Sequence, residues 1–140
     1  MQNKFSLSML QIKADLFLAK AAIEEAEKLT PKAAKYMKGQ AGYHLQQAAE
    51  KMIKIQLYQS NQTIDPAKVY KHNIYELIAY APTVHVALIL PAYVDKNAAV
   101  ISGWEAEGRY DIHVVVRIDQ LKKCFGELEN WYKQLGQAGF

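Results

Sequence analysis

One cysteine, Cys124, stands in 140 residues. A lone thiol excludes an internal disulfide and a cysteine-ligated zinc centre. Four prolines and seven glycines leave long stretches free of helix breakers. The longest apolar run, Val86–Ala92, falls far short of the roughly 20 residues that span a bilayer. The opening residues Met-Gln-Asn-Lys-Phe-Ser have neither the apolar core nor the small-residue cleavage site of a signal peptide. A cytoplasmic location without membrane contact is therefore expected. His44, His72, His85 and His113 show no paired ligand spacing such as His-x-x-x-His. A Gly-rich phosphate loop and a Gly-x-Ser-x-Gly elbow are also missing. No metal and no cofactor is expected. Charge of neither sign dominates, with +3 overall, but it is uneven. Residues 1–71 carry eleven lysines against six acids, and residues 72–140 carry six basic and eight acidic residues. The basic first half hints at an anionic partner.

What is present is helical periodicity. The length fits one domain over residues 1–140, large enough to bury its own core. Gly42–Tyr58 lacks proline and has few β-branched residues. Leu45, Ala48, Met52 and Ile55 form one apolar stripe, and Ala49, Ile53 and Leu57 another. The Ala48–Ala49 pair permits close approach of a neighbouring helix. Glu50 precedes Lys54 by four residues, the favourable order for an ion pair. His44, Gln47, Lys51 and Lys54 make a separate polar stripe. Thr30-Pro31 marks the start of this helix, which is expected to run to about Ser60. Gly39 and Gly42 weaken its early part. Lys28, Lys32, Lys35 and Lys38 make a basic ridge there.

Ser6 or Ser8 caps an earlier helix reaching about Lys28. This one is apolar on two stripes: Leu7, Leu10, Ala14, Phe17 and Ala21, then Ile12, Leu16, Ala19, Ile23 and Ala26. Glu24, Glu25 and Glu27 crowd its C-terminal end, where the helix dipole disfavours acid. After the polar loop Asn61–Pro66, a short helix is expected from Ala67 to Tyr80, with Pro82 stopping it. Residues 83–118 read two ways. Thr83–Leu90 and Asp111–Ile118 are rich in Val and Ile and could pair as strands. Alternatively 84–106 is helical, with Pro91 at a kink or in the first turn. Ile118, Leu121, Phe125, Leu128, Tyr132 and Leu135 mark a last helix, with Val114 extending its register. Cys124 reads as a small half-buried residue, and Trp131 and Tyr132 as the edge of the core stripe.

Three segments together resemble the HEPN family (higher eukaryote and prokaryote nucleotide-binding domain). Tyr43-His44-Leu45-Gln46-Gln47-Ala48-Ala49-Glu50-Lys51-Met52-Ile53-Lys54 is similar to the family's Gln-Ala-Ala-Glu-Lys helix. His72-Asn73-Ile74-Tyr75-Glu76-Leu77-Ile78 is similar to its His-led step. Ala106-Glu107-Gly108-Arg109-Tyr110-Asp111 resembles the Arg-Tyr box before its last helix. With the flanking helices the resemblance covers nearly the whole chain. It implies an all-α, up-and-down bundle of four to five helices, and so decides residues 83–118 against a hairpin. It implies a homodimer with a polar groove between protomers.

The function implied is a non-catalytic module binding a nucleotide or RNA phosphate. The expected groove is lined by His44, Lys51, Lys54, His72, Arg109 and Tyr110, with Tyr43, Tyr58 and Tyr110 as stacking candidates. A small nucleotidyltransferase is the implied protein partner, in a toxin–antitoxin-type pair. The alternative is a metal-independent endoribonuclease, with Arg109 holding the phosphate and His113 as general acid or base. The Arg109–His113 spacing is one residue short of the family's catalytic pattern, and Tyr110 stands where that pattern has a polar residue. Both departures favour the binding module. Independently of the family, the surplus apolar stripes of the first two helices predict a two-fold homodimer that buries part of one of them.

Overall fold

The computed structural model describes residues 7–104 and 116–140. They form α1 (Met9–Lys28), α2 (Pro31–Tyr58), α3 (Pro66–Val69), α4 (Ile74–Thr83), α5 (Ala92–Lys96), α6 (Ala98–Gly103) and α7 (Ile118–Gln137). No strand occurs among the described residues, and the fold is an all-α bundle. None of these helices is long and apolar enough to cross a membrane.

The starts of the long helices follow local chemistry. The Ser8 N–H donates to Gln11 Oε1 at 2.8 Å and closes the first turn of α1. Thr30 Oγ1 accepts from the Ala33 N–H, and Pro31 occupies the first position of α2. Two residues separate these helices, so they turn back on one another. α7 runs against α1, with Lys122 reaching Glu27 at 3.2 Å near one end.

The core draws on all three long helices. From α1 it takes Ile12, Leu16, Ala19 and Ile23, and from α2 Leu45, Ala48, Ala49, Met52 and Ile53. From α7 come Leu121, Cys124, Leu128, Trp131 and Leu135, at alternating steps of three and four. The buried face of α7 is thus turned slightly from the expected one. Cys124 and Trp131 are fully buried, while Phe125 and Tyr132 are partly covered. Of the two apolar stripes, the core takes the second, and of the first only Leu7 packs against it among the described residues.

Gly42 faces Trp104. A Cβ there would sit 3.2 Å from the Trp104 ring, so the glycine that weakens the helix also admits the indole. The expected helix over 67–80 is divided. Val69 ends α3, and the Asn73 side chain accepts from the Glu76 N–H to begin α4. Pro82 lies within the last turn of α4. The helix closes with His85 in the left-handed region at φ 61°, and the Val86 N–H bonds Ala81 O. Residues Val86–Leu90 then cross the bundle without regular structure, and Pro91 caps α5. Gln56 meets this crossing edge-on: Ile89 N–H donates to Gln56 Oε1 at 2.7 Å, and Gln56 Nε2 donates to Ile89 O at 3.1 Å. Trp131 Nε1 donates to the same carbonyl at 2.7 Å. The Val and Ile content that suggested a strand here serves burial, and at Ile89 side chains satisfy the N–H and C=O that a partner strand would take.

Candidate functional site

The polar stripe of α2 is built on two acids that the apolar pattern hides. Asp15 projects from the buried side of α1, and Glu50 from the buried side of α2. Burying a carboxylate is costly unless it is paired and hydrogen-bonded. Both are. His44 Nδ1 lies 3.0 Å from Asp15 Oδ1, and Lys51 Nζ donates to Asp15 Oδ2. His44 and Lys51 are seven residues apart, about two helical turns, so they share the face that α1 covers.

Glu50 collects a second set. Lys54 Nζ donates to Glu50 Oε2 at 3.0 Å, one turn along the helix. Gln46 Nε2 donates to Glu50 Oε1 at 3.0 Å and to His72 O at 2.9 Å. His72 Nδ1 lies 3.1 Å from Glu50 Oε1. The break between α3 and α4 makes this possible, because an unbroken helix would keep the His72 carbonyl for itself. Gln47 Nε2 donates to Gln46 Oε1 at 2.8 Å and extends the network. At the far end, burial and the Glu50 charge push the Tyr58 phenol up from its ordinary value.

Four of the six expected groove residues, His44, Lys51, Lys54 and His72, thus stand in adjoining clusters. Their access differs. The His72 side chain is 57% exposed and that of Lys51 25%, whereas Lys54 is 11% exposed and committed to Glu50. The two lysines are balanced in charge by the two acids, so the clusters attract anions through oriented donors more than through net charge. Arg109, Tyr110 and His113 lie outside the described residues. Tyr43 packs edge-on to His44 with ring centroids 5.1 Å apart, and Tyr70 is tilted over His72 at 6.5 Å.

Asp15 and the bridging role of Gln46 escaped the sequence reading. An acid three residues after Ile12 and four before Ala19 stands on the apolar stripe, and that position was the available signal. Cys124 offers no nucleophile. Burial pushes its thiol up to about 12, beside the Tyr93 hydroxyl to which it is hydrogen-bonded. No group of three or more His, Cys, Asp or Glu suited to a metal ion occurs among the described residues. No family model, curated protein or solved structure matches the chain.

Proposed function

We propose that the protein is a non-catalytic, HEPN-like cytoplasmic module that binds a nucleotide or RNA phosphate and works as a homodimer. The observation that carries this reading is the pair of carboxylate-anchored clusters on one face of α2. Asp15 and Glu50 each hold an imidazole by Nδ1 and a lysine by Nζ, which fixes donors before a ligand arrives. Lys51, His44 and His72 are the ligand-facing groups in this reading. Lys54 serves by holding Glu50 in place. Arg109 and Tyr110 complete the groove by resemblance, and so does pairing with a small nucleotidyltransferase.

Anisotropy of a labelled RNA oligomer and of labelled ATP, at low salt and in EDTA, tests the reading. Binding should weaken as salt rises, and Lys51→Ala should weaken it about ten-fold, the size of one charge-assisted hydrogen bond. No binding at low salt overturns the proposal. RNA cleavage that disappears in His113→Ala replaces it with the endoribonuclease that uses Arg109 and His113.

A further inference from the structure

Among the described residues, one face of α1 has no neighbour in the bundle. Leu10 is 74% exposed, Phe17 70% and Leu18 45%, and Ala14 and Ala21 are exposed with them. At about 100° per residue these five lie on a stripe opposite Ile12, Leu16, Ala19 and Ile23. Beside the stripe runs a groove of about 260 Å³ between α1 and α7, lined by Lys13, Phe17, Lys20, Phe125 and Tyr132 among others. A contiguous apolar face of this extent on a chain this small marks a contact surface.

We propose that this face is where a second copy of the chain docks, with the two α1 helices antiparallel about a two-fold axis near Phe17 and Leu18. This rests on the homodimer of the reading above and assigns its surface. Two features select a second copy and that orientation. The first is the order of sizes along the stripe. Ala14 and Ala21 lie at equal distances on either side of Phe17 and Leu18. Antiparallel pairing sets Ala14 against the partner's Ala21 twice, which lets the helix axes approach and seats the large side chains at the centre.

The second feature is charge. Lys13 and Glu24 flank the stripe on the same side, at opposite ends, and neither has an ion-pair partner among the described residues. In an antiparallel pair like flanks meet, so Lys13 falls beside the partner's Glu24, and the same contact recurs by symmetry. A parallel pair would bring opposite flanks together and leave Lys13 away from the partner's Glu24. The acid near the end of α1, unfavourable to an isolated helix, thereby gains a cation. A specific interface buries roughly 1,000 Å² or more in total, and the α7 side of the groove adjoins the stripe as further surface to cover.

Light scattering on the full chain across micromolar concentrations provides the test, with circular dichroism to confirm helix content. Wild type should give the dimer mass. Phe17→Glu, at a position already exposed, should keep its helix signal and weaken association by more than about 30-fold, as loss of a central anchor does. Lys13→Glu alone and Glu24→Lys alone should each weaken the dimer by up to about ten-fold, and the double exchange should restore it. A monomeric wild type overturns both the dimer and this surface. A dimer indifferent to Phe17→Glu overturns this surface and leaves a dimer built elsewhere. Single charge variants that the double exchange does not rescue overturn the antiparallel arrangement. RNA anisotropy on the same variants reports separately on ligand binding.

Discussion

The three long helices and the crossing Val86–Leu90 share one core, yet they are held by different forces. α1, α2 and α7 satisfy their own backbones and, the Asp15 cluster and the Lys122–Glu27 pair aside, meet through apolar stripes, so most of their association scales with buried area. The crossing has no helix or strand to absorb its peptide groups. Two side chains, Gln56 and Trp131, do so at Ile89, and they depend on direction as well as proximity. An apolar interface loses stability in proportion to the atoms removed. A directional clip fails as a unit when one partner goes, because the buried group left behind bears its full desolvation cost.

That contrast can be broken first at Leu45, fully buried in α2. Leu45→Ala should cost about 3 kcal/mol, read as a lower urea midpoint. Hydrogen exchange should accelerate across all three long helices together. Gln56→Ala should cost about 2 kcal/mol. Here exchange should accelerate at Ile89 and its neighbours well before the long helices respond. Uniform acceleration in both variants would erase the distinction.

Alkali probes the boundary between the regions, where Cys124 of α7 meets Tyr93 of α5. In the fold burial pushes the Cys124 thiol up to about 12 from an ordinary 9.0, and the Tyr93 phenol up to about 12 from 10.0. The unfolded chain therefore releases these protons first. The stabilisation is complete below pH 9 and is lost as pH rises toward 12. The thiol alone should account for about 1 kcal/mol by pH 10. Denaturation midpoints followed from pH 8 to 11 should fall, and Cys124→Ala should flatten the slope. The smallest expected effect lies at the entrance to the crossing. His85→Gly relieves a left-handed residue and should raise stability by about 0.5–1 kcal/mol. A loss of stability would show that the imidazole makes a compensating contact.

Much of the long-helix frame was legible because its signals are local. Ser8, Thr30-Pro31 and the apolar spacing of Ile118–Leu135 act within a few residues of where they are read. The division at Asn73 was also local, with Glu76 three residues on, but the apolar spacing across Val69–Ile78 masked it. The crossing was not legible, since its satisfaction comes from residues far away in sequence. The same holds for the polar clusters. His44, Lys51 and Lys54 could be placed on one face of α2 by counting. Their anchors depend on α1 packing against that face, and counting along one helix does not contain it. On α1 both stripes were evident, but which of them the core would take was a question of packing.

The Ile89 carbonyl accepts from partners 33 and 42 residues away in sequence, on opposite sides of it. Synthesis makes these partners available at different times. Gln56 precedes Ile89 in the chain, whereas Trp131 follows it in the second half of α7. In the folded chain the last long helix therefore acts as the latch for a segment synthesised well before it, through the Trp131 donor at Ile89.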